Sequence, residues 1–251
     1  MPARTTTPTP ARASYELPGD VVSDVRRNFT GTAHARERLV VTLSKAAEAY
    51  DRHRYEEALR LARNVSDAVP SVAPVRELAG LSAYRAGRWA MARAHLRAHF
   101  ELTEDPEHLP LIMDCERALR RYRGVERVFE EVAAHDPTPD VLAEARIVMA
   151  GAWADQGKFP EALELLQRAG GSRVLRNPAF RHVRLWYALG DVLDRAGDTA
   201  GAREMFTRVV RADPEAYDAA DRLAELGSPS PRKNRPRRSA PTSTKRRVEG
   251  S

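Results

Sequence analysis

The sequence predicts an all-α fold, an α-solenoid of about five helix-turn-helix repeats with a C-terminal capping helix, on three observations. In the stretch WYALGDVLDRAGDTAGAREMFTRVVRADP, Trp186, Leu189, Gly190 and Leu193 lie three or four residues apart and share one face of a first helix. Gly197 then stands where the chain must reverse, and Ala202, Phe206 and Val209 line a second helix that Pro214 ends. The same spacings recur upstream: Ala58, Ala92, Val125, Ala162 and Ala202 mark intervals of 34, 33, 37 and 40 residues. Each hairpin has an apolar face that it cannot bury alone, so stacking is the expected solution.

Residues 1–14, MPARTTTPTPARAS, have no apolar run and are expected to be disordered. Residues 15–35 contain LPGDVVSDVRRNF, in which Pro18 and Asp20 open a short helix carrying Val21, Val22 and Val25. This helix either covers the first repeat or folds back into the groove. The solenoid is placed at residues 36–227. Its first repeat has Tyr55, Ala58, Ala62, Val65 and Pro70 in register, with His53 where the glycine belongs. The second has Gly80, Gly87, Trp89, Ala92 and Leu96. The third keeps Tyr122, Phe129, Val132 and Pro137, with Val125 in the alanine position. The fourth has Trp153, Gly157, Phe159, Ala162 and Leu166. Two insertions account for the longer intervals, one around Thr138, Pro139 and Asp140 and one at GGSRVLRNP, residues 170–178. In the fifth repeat, Gly190 is expected to let a second backbone approach, with Ala202 as the small residue meeting it. Residues 215–226, EAYDAADRLAEL, put Tyr217, Ala220, Leu223 and Leu226 on one face and form the capping helix.

A chain of 251 residues with 42% apolar content fits one packed helical domain. No apolar run reaches the ~18 residues that read as a bilayer span, and the N-terminus lacks the apolar core of a signal peptide. A single cysteine, Cys115, excludes an internal disulfide framework. These features predict a cytoplasmic protein with no membrane partner, and the use of 37 Arg against 4 Lys suggests G+C-rich bacterial coding.

The net charge of +6 is unevenly placed. Residues 228–251 carry eight basic residues, Arg232, Lys233, Arg235, Arg237, Arg238, Lys245, Arg246 and Arg247, against one acid, giving +7. Arg4 and Arg12 add +2, which leaves −3 for residues 15–227. The basic tail, rich in Pro, Ser and Arg, is expected to be disordered. It is either a solvated segment or a weak contact to nucleic acid or an acidic protein through phosphates or carboxylates. It has no aromatic residue on which a base would stack.

Catalytic patterns are missing, and no cofactor is expected. The glycines at 80, 87, 190 and 197 are explained by the repeat, and no phosphate-binding loop follows a strand. His95 and His99 are four apart but lack the glutamate of a zinc-protease helix, and the register puts His99 on a packing face. Asp191, Asp194 and Asp198 read as solvated helix charge, as does the arginine cluster 117, 120, 121, 123 and 127. Cys115 has no nearby histidine to activate it. The reading is therefore non-enzymatic, with no catalytic residue and no metal site.

The residues named for the fifth repeat fall at the spacings of the tetratricopeptide repeat: a tryptophan, a Leu-Gly pair, an alanine, an aromatic and a closing proline. The chain resembles that family over roughly residues 39–214. It also resembles small actinobacterial members of unassigned role, through VRELAGLSAYRAGRW followed by DCERAL. The resemblance implies that the first helices line a concave face that binds other proteins. Projected onto this sequence, the groove comprises Leu43, Ala47 and Tyr50, then Glu77, Leu81, Tyr84 and Arg85, then Leu111, Asp114 and Arg117. The fourth repeat adds Ile147 and Ala154, and the fifth Arg184, Tyr187, Asp191 and Arg195. Tyrosine and arginine are enriched in binding hot spots. The lysine- and asparagine-rich clamp of co-chaperone members has no counterpart, Lys45 being the only lysine near the groove. The expected function is a scaffold or adaptor holding a peptide or partner helix on the concave face. The alternative is an RNA- or ribosome-associated accessory protein whose tail binds nucleic acid.

Overall fold

A computed structural model describes residues 15–227, and among these twelve α-helices and no strand are found. The two segments expected to be disordered, 1–14 and 228–251, lie outside the described residues. Helix α1, Gly19–Asn28, precedes five antiparallel hairpins: α2 (Ala33–Asp51) with α3 (Tyr55–Ala68), α4 (Ala73–Arg85) with α5 (Trp89–Thr103), and α6 (Leu109–Ala118) with α7 (Tyr122–Ala134). They continue as α8 (Pro139–Asp155) with α9 (Phe159–Leu166), and α10 (Phe180–Arg195) with α11 (Thr199–Ala212). Helix α12, Ala219–Gly227, packs on α11. Each second helix also packs on the next first helix, which makes the stack continuous.

All five hairpins turn in one way. His53, Gly87, Arg120, Gly157 and Gly197 occupy the left-handed region, with φ of 59°, 70°, 56°, 76° and 87°. In each, the next residue's N–H donates to the carbonyl five positions back, as from Arg88 to Ala83 at 2.8 Å and from Asp198 to Leu193 at 2.9 Å. The left-handed residue itself donates three positions back, as from Gly197 to Asp194 at 2.9 Å. Both bonds together are the Schellman closure of a helix. The turn persists at His53 and Arg120 without glycine, at the cost of a side chain in a region that favours glycine.

Inside the hairpins the small residues admit close approach. A Cβ on Gly190 would lie 3.0 Å from Phe206 Cε1 and 3.2 Å from Met205 Cβ. The expected meeting of Gly190 with Ala202 is therefore corrected: the closest neighbours lie one turn further along α11. Gly190→Leu is expected to overpack this contact and destabilise by about 1–3 kcal/mol. Thermal unfolding of the variant checks this, and an unchanged transition would contradict the packing.

The two longer intervals have different origins. Thr138 caps α8, accepting from the Val141 N–H at 3.3 Å, and Pro139 is its first residue, so the extra residues lengthen a helix and do not form an inserted loop. After α9 a π-turn, Gln167–Gly171, leads into a true loop. That loop is tied down by Trp186 Nε1 donating to the Arg173 carbonyl at 3.2 Å and Arg208 to the Ser172 carbonyl at 3.0 Å.

The ends are covered. Val25 of α1 is fully buried with Leu43, Val65 and Val72, so this helix seals the first hairpin and does not enter the groove. At the other end α12 starts at Ala219, later than the predicted residue 215. Asp213 accepts from the Glu215 N–H and Tyr217 adopts φ 56°, so residues 213–218 form a turn. The buried face of this end is Ala216, Ala219, Leu223 and Leu226, while Tyr217 and Ala220 are exposed. No helix among the described residues is long and apolar enough to cross a membrane.

Candidate functional site

The first helices α4, α6, α8 and α10 surround a cleft of about 480 Å³. Its apolar residues are Pro110, Leu111, Val141, Ile147 and Val148, and its polar ones include Tyr84, Asp114, Arg117, Glu144 and Arg184. Four of the expected groove residues, Tyr84, Asp114, Arg117 and Arg184, thus come together here, along with Leu111 and Ile147.

The polar walls are paired across repeats. Tyr84 Oη donates to Asp114 Oδ2 at 2.7 Å, and burial, then Asp114, raises the phenol pKa. Arg117 Nε donates to Asp155 Oδ2 at 2.7 Å, and Arg195 reaches Asp155 Oδ1 at 2.9 Å. Burial alone would raise the Asp155 carboxyl pKa, but the two guanidiniums hold it below the usual range. Arg117 can lie there because α8 has Gly151, where a Cβ would stand 2.9 Å from its guanidinium carbon. Arg184 pairs with Glu144, whose carboxyl is nevertheless pushed up by burial. The result is a ladder of alternating charge running from α4 to α10, which fixes side chains that would otherwise be mobile.

Other expected groove residues stand elsewhere. Tyr50 meets Tyr55 edge-on with ring centres 5.5 Å apart, and Arg85 donates to Tyr55 Oη at 2.8 Å, forming a separate cluster at the first turn. Leu81 is partly buried against the core shared by α5, α6, α7 and α8, and Leu43 and Ala154 are buried core residues, so the last two do not line an open surface. Tyr187 donates to Asp218 at 2.5 Å, and burial, then Asp218, pushes its pKa up to about 12, while Asp191 accepts from Arg222 at 3.2 Å. These two are therefore engaged by the C-terminal cap. Glu77 sits at the cleft's edge beside His108, whose Nε2 is 2.8 Å from Glu77 Oε1.

The carboxylates of the last repeat are likewise occupied: Asp191 and Asp194 clamp Arg222, and Asp198 caps α11 by accepting from the Gly201 N–H at 3.0 Å. Cys115 is buried, and its thiol is pushed up to about 12, chiefly by burial. The His95–His99 pair separates in function, because His95 lies 3.5 Å from Arg76 while His99 bonds the Ala73 carbonyl at 3.1 Å.

The cleft also contains Glu107, His108, Asp140, Val141, Glu144 and Val148, which sequence reasoning missed. Four of these are on α8, whose N-terminal half lacks the repeat's marker residues. The helical spacing of Asp140, Val141, Glu144, Ile147 and Val148 was the available signal.

Tetratricopeptide-repeat models match residues 43–106 and 183–226, which cover the first two hairpins, the last one and the cap. The chain is a tetratricopeptide-repeat protein. The unmatched middle contains the third hairpin, with Arg120 at the turn, and the fourth, with the long helix α8, and both hairpins are formed there. Among solved structures, this tetratricopeptide-repeat chain is similar to a thermophilic member from Thermus thermophilus, with TM-score 0.57 and 17% identity over 75% of this chain and 98% of the other. It is also similar to the C-terminal part of a repeat protein from Cytophaga hutchinsonii, with TM-score 0.52 and 12% identity over 73% of this chain and 69% of the other. The MamA protein aligns with TM-score 0.52 and 14% identity over 74% and 95% of the two chains. At these identities the likeness concerns the fold. No curated protein sequence matches the chain. Tetratricopeptide-repeat solenoids are in general non-catalytic scaffolds for protein–protein interaction.

Proposed function

We propose that the protein is a non-enzymatic adaptor that holds a peptide or partner helix of another protein in the cleft between α4, α6, α8 and α10. The supporting observation is an apolar strip, Leu111, Val141, Ile147 and Val148, between walls whose polar groups already pair with one another. Such walls are preorganised, so an incoming segment loses little affinity to ordering them. The lining has four carboxylates, Glu107, Asp114, Asp140 and Glu144, against two guanidiniums, Arg117 and Arg184. The partner segment is accordingly amphipathic, with apolar side chains for the strip and cationic ones for the rim. The proposed setting is the cytoplasm, in keeping with a single free cysteine.

A second reading rests on the +7 of residues 228–251, which would hold nucleic acid while the repeats hold protein. One experiment separates the two: affinity capture with the full chain, with residues 1–227, and with Leu111→Lys/Ile147→Lys, each with and without nuclease. The adaptor reading expects a protein that survives nuclease and tail removal and is lost with the cleft variant. Capture that is unchanged by the cleft variant would overturn it, and capture abolished by nuclease or tail removal would favour the second reading.

A further inference from the structure

Glu77 of α4, His99 of α5 and His108, in the 3-10 turn Pro106–His108 before α6, converge where the second and third hairpins meet. One ligand atom from each lies within 4.8 Å of the others. At about 2.0–2.1 Å per ligand, a tetrahedral zinc ion sets its donors about 3.3 Å apart. That spacing falls between the 2.8 Å of the His108–Glu77 contact and the 4.8 Å limit of the cluster. The two histidine rings are tilted by 50° to one another, with centres 5.4 Å apart.

Each donor is held by a separate element. The Ala73 carbonyl can only accept, so the 3.1 Å bond from His99 Nδ1 assigns the proton of the neutral ring to Nδ1 and leaves the Nε2 lone pair free. A backbone carbonyl on the far nitrogen is the usual support of a metal-binding imidazole. The turn bearing His108 is fixed by Asp105, whose side chain accepts from the Glu107 N–H at 3.0 Å. Asp105 and Glu107 add negative charge beside the cluster, and burial of His99 to 9% exposure limits competition from water. His108 also lines the cleft, which provides an entry path.

We propose that Glu77, His99 and His108 bind one divalent cation of the zinc class, which would fasten the second hairpin to the third at the edge of the cleft. Two imidazoles and a carboxylate suit zinc and cobalt better than magnesium or calcium, which prefer all-oxygen sets. Cys115 is not a ligand, so no thiolate charge-transfer band is expected.

The test titrates the tag-free full chain with Co²⁺, read by visible d–d absorption, and then displaces it with Zn²⁺. The expected result is one equivalent of cobalt, with at least about a tenfold loss of affinity in Glu77→Gln, His99→Gln and His108→Gln, the loss that removing even an outer-shell partner causes. His95→Gln, four residues from His99, should bind as the unsubstituted chain does. Zinc should also raise the melting temperature of the unsubstituted chain and not that of Glu77→Gln, whose half-exposed side chain makes it the variant that best preserves the fold. Absence of a one-to-one cobalt complex in the unsubstituted chain, or equal binding by Glu77→Gln, would overturn the proposal.

Discussion

Arg93→Ala is expected to destabilise the protein by about 3 kcal/mol, the lower end of the range for breaking a buried ion pair. Glu116 of α6 is 3% exposed and accepts from Arg93 of α5 at 3.1 Å. Its other oxygen has no hydrogen-bond partner among the described residues, and it lies against Gly124 of α7, where a Cβ would come within 3.0 Å. Removing the guanidinium strands a carboxylate among three helices. The cost stays at the lower end because the Arg93 side chain keeps 35% of its surface in water. In a Glu116→Gln background the same Arg93→Ala change should cost under about 1 kcal/mol, as at an exposed pair. A double-mutant cycle by chemical denaturation measures the difference. Equal costs in both backgrounds would mean that Arg93 acts by packing its stem and not by its charge.

Phe206→Ala is expected to cost about 3–5 kcal/mol, the range for truncating a buried phenylalanine. Phe206 is fully buried against Gly190, meets the Tyr187 ring edge-on at 5.6 Å, and lies under the Arg222 guanidinium at 4.9 Å. One side chain therefore joins α10, α11 and α12. In a solenoid each repeat contacts only its neighbours, so the damage should stay local. Hydrogen exchange is expected to show lost protection in α10, α11 and α12 with the hairpins α2–α3 and α4–α5 unchanged. Loss spread evenly over the chain would show that the array unfolds as one unit.

How much of the cleft could be read from the sequence depends on the element. Tyr84, Asp114, Arg117 and Arg184 sit on helices whose register is set by nearby repeat markers such as Gly80, Tyr122 and Trp186. Their face followed from the 3.6-residue period. Leu43 and Ala154 were misplaced because a groove position and a packing position differ by one residue along a helix, and only the neighbouring hairpin decides which is covered. Tyr187 and Asp191 face the expected side, yet a cap beginning at Ala219 brings Asp218 and Arg222 onto them. Nothing in the spacing of α10 encodes that contact.

By itself the sequence determined the repeat: five hairpins, the small residues at Gly80 and Gly190, the turns at Gly87, Gly157 and Gly197, and the slightly acidic body. These are local properties, set by helical periodicity and by which residues tolerate a left-handed turn. Only the tertiary structure decided which side chains meet. Arg117 reaches Asp155 across 38 residues, and Glu77 meets His108 across 31. The structure also places Arg120 at positive φ, as it does His53, in a region that a non-glycine residue's own preference would avoid. Periodicity specifies the face of a helix, whereas a charge ladder or a ligand cluster depends on the rotation and offset between hairpins. Those are fixed by the packing of whole faces and not by any short segment.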